Sequence, residues 1–126
     1  MKRIGLICGG FSSEYDISIK SAQTIQKNFP DHLECQFIEI SRANWQERLQ
    51  LASEIDAAII YTHGDPGENG RIQAYLDMLQ IPYINSGVLA SALSFDKWYC
   101  NQFLKGFGLA IAKSELFHFG AQIDAA

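Results

Sequence analysis

Residues His63 to Gly70 read His-Gly-Asp-Pro-Gly-Glu-Asn-Gly. One imidazole, two carboxylates (Asp65 and Glu68) and an amide stand among three glycines, which let backbone N–H groups approach a ligand closely. A second cluster, Gly9-Gly10-Phe11-Ser12-Ser13-Glu14-Tyr15-Asp16, exposes glycine N–H groups near a helix N-terminus, a ready anion site. If the two clusters share one edge of a sheet, the Glu14 carboxylate and the His63 imidazole can hold a zwitterion, one for its ammonium and one for its carboxylate. A third cluster runs from Ser86 through Val88–Leu93 to Asp96-Lys97. A lysine near a helix start is unfavourable beside the dipole unless an anion lies close, and phosphate is the natural partner.

Each residue also has a plainer reading. Glu14 can be a first-turn carboxylate that complements the helix dipole, and Glu68 a helix N-terminal charge. His63 can be a loop histidine bonded to backbone, and Lys97 an exposed lysine beside Asp96. The glycines of the first cluster do not follow the G-x-G-x-x-G pattern, which argues against a dinucleotide site. His32, His118, Trp45, Trp98 and the carboxylates Asp31, Glu39, Glu47 and Glu54 are read as packing or solvated surface.

The elements that must position these clusters follow from periodicity. Ile4–Cys8 is a short apolar strand, and Ile19, Ala22, Ile25 and Phe29 mark an amphipathic helix over about 18–29 that Pro30 closes. Alternation at Leu33, Cys35 and Phe37 predicts a strand through about Ile40, and Trp45, Leu49 and Ala52 predict a helix over 44–53. An apolar strand over 55–62 delivers His63, a helix covers roughly 69–80, and Ile81–Ile84 reads as a brief fourth strand. Gly64, Gly67 and Gly70 are expected to permit backbone conformations that other residues resist.

This alternation predicts an α/β fold with a doubly wound, mostly parallel sheet flanked by helices. In such sheets ligands bind beyond the carboxyl ends of the strands, where the first two clusters fall. After Ile84 the pattern changes. A helix capped by Ser94 or Asp96 runs to about Phe107, and Leu109–Phe119 starts a strand that has no partner. That suggests a second domain that is only begun, with an exposed apolar face over 88–107.

The chain has 126 residues, enough for one domain with its own core. Ten basic and fourteen acidic residues, without a basic cluster, argue against a nucleic-acid surface. The apolar stretch after Lys2-Arg3 is too short for a signal peptide or a membrane span. Cys8, Cys35 and Cys100 are odd in number and form no CxxC pair, which suits inert thiols in a reducing cytosol and makes a zinc site improbable. The expected location is cytoplasmic, with no metal site of the chain's own.

Together the three clusters resemble the D-alanine–D-alanine ligases, ATP-grasp enzymes of peptidoglycan synthesis, over essentially the whole chain. Family members look like G-G-x-S-x-E-x-x-x-S, met here by Gly9, Gly10, Ser12, Glu14 and Ser18. They carry H-G-x-x-G-E-[DN]-G and a following Gln, met by His63, Gly64, Gly67, Glu68, Asn69, Gly70 and Gln73. They continue S-G-V-x-A-S-A-L-x-x-D-K, met by Ser86 to Leu93, Asp96 and Lys97.

The resemblance implies a pre-ATP-grasp, Rossmann-like domain over 1–86 and the beginning of a central ATP-binding domain over 87–126, the chain stopping before the ATP-grasp fold. It implies a ligase that phosphorylates the carboxylate of one D-alanine with ATP, after which the amine of a second attacks the acyl phosphate. Glu14 would hold the first ammonium and His63 its carboxylate, with Gly9, Gly10 and Ser12 beside them. Lys97 would reach the nucleotide phosphates, while Glu68 and Ser86 would support the loops from behind. ATP and Mg²⁺ (or Mn²⁺) belong to the full-length enzyme, a homodimer, and neither is expected to bind this stretch tightly. The other expected partners are the remaining central and C-terminal domains. Two other readings remain: a stand-alone amino-acid or nucleotide binding module, and a ligase relative making D-alanine–D-lactate or D-alanine–D-serine.

Overall fold

The computed structural model describes residues 1–122, so the last four residues of the expected second unit lie outside the described residues. The order of elements is β1 (Lys2–Gly9), α1 (Tyr15–Lys27), β2 (Leu33–Ile40), α2 (Trp45–Leu49), a 3₁₀ turn (Gln50–Glu54), β3 (Ala57–Ile60), α3 (Arg71–Met78), α4 (Val88–Phe95) and α5 (Lys97–Gly106). Among the described residues the strands form one parallel sheet in the order β2-β1-β3.

The central strand is buried on both faces, which is why it reads as a nearly unbroken apolar run rather than an alternation. On one face Leu6 and Cys8 pack against Ala22, Ile19 and Ile25 of α1. On the other, Ile7 packs with Ile38 and Ile40 of β2, Leu49 of α2, and Ile72 and Leu76 of α3. Fully burying each such aliphatic side chain stabilises the fold by about 1.5–3 kcal/mol. Helices therefore cover both faces, as the alternation of elements predicts.

Two expected strands are absent from the described residues. Segment 81–84 makes only an isolated bridge, Ala58 to Tyr83. Pro82 has no N–H to donate, and only its carbonyl joins, accepting from the Ala58 N–H at 2.8 Å. The next position on β3 is met by a side chain instead: the Asn85 amide accepts from the Ile60 N–H at 2.8 Å and donates to the Ile60 carbonyl at 2.9 Å. One asparagine thus supplies the donor and the acceptor that a fourth strand would have supplied. Segment 109–119 is irregular and pairs with no strand among the described residues, and an extended segment needs such a partner to satisfy its backbone. Conversely, the small-residue stretch Val88–Leu93 is helical, with Val88–Phe95 forming α4.

Among the described residues no helix is long and apolar enough to cross a membrane.

Candidate functional site

The loops after β1 and β3 meet at the carboxyl edge of the sheet, joined by a backbone hydrogen bond and by two side chains, Ser12 and Ser18. At Gly9 the chain turns with φ +90°, and a Cβ there would strike the Ile40 carbonyl and the Tyr15 ring, so only glycine fits. The Gly10 N–H donates to the Ile40 carbonyl at 2.9 Å, and the Phe11 N–H donates across to the Asp65 carbonyl at 2.8 Å. The buried Ser18 hydroxyl accepts from the Gly9 N–H at 2.8 Å and donates to the Tyr61 carbonyl at 2.6 Å. Ser12 does the same one layer out. Its hydroxyl donates to the His63 carbonyl at 2.8 Å and accepts from the Glu14 N–H at 3.2 Å. The backbones of Glu14 and His63 are therefore bound to the same oxygen.

Glu14 occupies the N-cap position of α1, exposed, and its side chain makes no capping hydrogen bond. The His63 ring packs edge-on against Tyr61, centroids 5.8 Å apart. Phe11 carries the Arg42 guanidinium 4.9 Å above its ring. Tyr15 donates to the Glu39 carboxylate, and this bond, with burial, raises the phenol to about 12.

Within the second loop the two carboxylates divide their work. Asp65 accepts from Asn69 at 2.7 Å and from Arg71 at 2.9 and 3.1 Å, tying the loop to the first turn of α3. Glu68 folds back so that its Oε2 accepts from the Gly64 N–H at 2.7 Å. The glycines also differ in their reasons. Gly64 and Gly70 have positive φ, but Gly67 does not. It is glycine because a Cβ would collide with Thr62 Oγ1 and stand 3.0 Å from the Ile60 side chain. Space, rather than conformational freedom, fixes that position.

Two cavities open beside this loop. The smaller, about 250 Å³, is lined by residues that include Thr62, His63, Gly67, Glu68 and Asn85; Glu14 is not among them. The larger, about 640 Å³, brings Glu68, Gln73, Asn85, Ser86 and Ser91 together with Lys97. Glu68 and Asn85 border both, so the histidine side and the lysine side are neighbours. Lys97 is the first residue of α5, whose N-terminus is capped by Asp96 accepting from the N–H groups of Trp98 at 3.1 Å and Tyr99 at 3.0 Å.

Sequence reasoning assigned no role to Asn85, the side-chain substitute for the missing strand, or to Gln73. A polar residue between Ile72 and Leu76 on the buried face of α3 was the signal available for Gln73. Two buried polar atoms near the cavities have no hydrogen-bond partner, Thr62 Oγ1 and Gln73 Oε1. Among the described residues no group of three or more His, Cys, Asp or Glu side chains is placed to hold a metal ion. The three cysteines are free, and burial raises the Cys8 thiol to about 12.

No protein-family model matches the chain. Curated relatives do: a D-alanine–D-alanine ligase of Bacteroides thetaiotaomicron is 38% identical over 98% of this chain and 44% of its own length. One of Bacteroides fragilis is 37% identical over the same shares. Among solved structures, a D-alanine–D-alanine ligase of Bacillus anthracis complexed with ATP superposes with a TM-score of 0.74 at 32% identity, over 86% of this chain and 38% of that one. The ligase of Coxiella burnetii shares the fold, with a TM-score of 0.76 at 23% identity over 90% of this chain and 44% of that one. The chain thus spans under half the length of the relatives it matches. In sequence and in fold, over the stretch they share, it is a relative of the D-alanine–D-alanine ligases.

Proposed function

We propose that the chain is the amino-terminal portion of an ATP-dependent D-alanine–D-alanine ligase that makes a peptidoglycan precursor in the cytoplasm. Residues 1–86 form its pre-ATP-grasp domain and residues 87–126 begin its ATP-binding domain. The observation that carries this reading is the Ser12 hydroxyl, which joins the backbones of Glu14 and His63 at the ligand edge of the sheet. An anionic acceptor and an imidazole held on one hydrogen-bonded frame suit the ammonium and carboxylate of an amino acid. Gly9, Gly10 and Ser12 fix the frame; Glu68 and Ser86 shape the walls toward Lys97.

ATP supplies the phosphoryl group that activates the carboxylate of the first D-alanine. Lys97, bordering the larger cavity, is the residue of this chain suited to its phosphates. The complete enzyme is a homodimer in this reading.

Steady-state kinetics on the complete ligase, varying each substrate, test the assignment. Glu14→Gln weakens a bond to a charged group, worth about 1.5–3 kcal/mol, and is expected to impair use of the first D-alanine with ATP dependence unchanged. Lys97→Ala is expected to weaken ATP affinity with little change in melting temperature, since an exposed lysine contributes little to folding. An unaltered D-alanine dependence in Glu14→Gln, or an unaltered ATP affinity in Lys97→Ala, rejects the corresponding role.

A further inference from the structure

Gln73 is 2% exposed and lies on α3 between two core residues, a place where an aliphatic side chain would pack without polar cost. Its Nε2 donates to the Gly67 carbonyl at 2.7 Å and to the Ser91 hydroxyl at 3.3 Å. Ser91 is itself buried, and its hydroxyl passes the chain on by donating to the Ser86 carbonyl at 3.2 Å. One buried amide therefore links the His63–Gly70 loop to α4, and through it to the segment that leads to Lys97. Every member of this relay borders the 640 Å³ cavity, whose other walls include Glu68 and Lys97. Ser91 is the residue of α4 that the fold buries, and α5 buries none.

The polar arrangement has a cost that packing does not explain. Gln73 Oε1 is buried with no partner, and an orphaned buried acceptor is unfavourable. A leucine would fill the position without that penalty but would break the hydrogen-bonded link between the loop and α4, leaving only packing such as that of Gly70 on Val88. Hydrogen bonds that run in a buried series hold their members in one arrangement more firmly than isolated ones.

We infer that Gln73 is a positioning residue that couples the His63 loop to the Ser86–Lys97 segment, so that the two sides of the site move as one. It touches no reacting atom; it acts through Gly67 and Ser91. The consequence for catalysis rests on the ligase reading above, whereas the mechanical coupling does not.

The experiment combines amide hydrogen exchange with steady-state kinetics on the complete ligase, comparing wild type, Gln73→Leu, Ser91→Ala and the double variant. Exchange over 63–70 is expected to rise by about tenfold in Ser91→Ala, although Ser91 lies on another element, and to rise further in Gln73→Leu. The kcat is expected to fall by up to about 100-fold in Gln73→Leu, with smaller changes in KM, since misplacing a positioned group is costly to rate. The double variant is expected to be no worse than Gln73→Leu alone, because both changes cut one series. Should Gln73→Leu fail to fold, Ser91→Ala carries the same comparison by itself. Unchanged exchange over 63–70 in Ser91→Ala overturns the coupling. Raised exchange with wild-type kcat overturns the positioning role. If the wild-type protein does not join D-alanine, the ligase reading fails, and the exchange measurement alone decides the coupling.

Discussion

Along β1 the residues from Gly5 to Gly9 are buried without a break, whereas α4 buries Ser91 alone and α5 buries nothing. Yet the second region also carries large apolar side chains: Leu89 of α4 is 77% exposed and Phe103 of α5 48%. The first region closes its own core, with helices on both faces of the sheet. The second presents apolar faces to solvent and is held to the first through the buried Gln73–Ser91 link. Apolar content therefore does not say where stability resides; the neighbours that a side chain finds within the chain do.

That contrast sorts the effects of substitution. Leu6→Ala, at a fully buried position in β1, is expected to lose about 2–5 kcal/mol in urea unfolding, from lost transfer energy and the cavity left behind. Gly67→Val forces a side chain against Thr62 and Ile60 and is expected to lose about 1–3 kcal/mol, with a matching fall in melting temperature. A Gly67→Val protein as stable as wild type would mean the loop yields where the packing says it cannot. At the other end of the comparison, Leu89→Ser is expected to shift stability by under about 0.5 kcal/mol. A loss as large as that of Leu6→Ala would show that α4 is covered in the protein tested, and would break the contrast.

A gentler test lies in the acid limb. The Lys2 ammonium and the Arg3 N–H bond the Asp56 carboxylate at 2.9 and 2.8 Å and hold it below the ordinary carboxylate range. A carboxyl whose folded value is depressed contributes its stability above its unfolded value and loses it as pH falls through the folded one. Asp56→Asn is thus expected to be slightly less stable than wild type near neutrality and to converge with it below the folded value, which flattens the acid decline; both effects are small because the pair is solvated. An unchanged acid limb would mean the pair is not formed in solution.

How far the sequence foretold the fold varies with how local the deciding physics is. β2 runs over Leu33–Ile40, where alternation placed it, because its pattern is set by its own two faces. The helix expected to be capped by Ser94 or Asp96 was legible for the same reason: Asp96 makes the cap bonds, and they are made within three residues. The fourth strand was not. Whether 81–84 pairs depends on what β3 offers at Ile60, and there the Asn85 amide takes both backbone groups. Helix α4 was missed because Val88–Leu93 mixes small and apolar residues without a polar face. In the site, the motif glycines and Ser12 were legible by type and spacing, but the reason for Gly67 was not, since the Thr62 side chain that excludes a Cβ is met only in three dimensions. Gln73 stood within a matched motif, and its function as a link became visible only when α4 was seen to bring Ser91 to it.

The central claim is that the loops after β1 and β3 make one amino-acid site by sharing the Ser12 hydroxyl, and Ser12→Ala in the complete ligase tests it most directly. The change removes one oxygen and no packing surface beyond it. The account predicts a fall of about tenfold in kcat/KM for D-alanine, the scale of one lost hydrogen bond, with ATP dependence and the circular dichroism spectrum unchanged. Wild-type D-alanine kinetics in the folded variant would contradict it, and would mean that Glu14 and His63 are neighbours in the fold without being partners in a site.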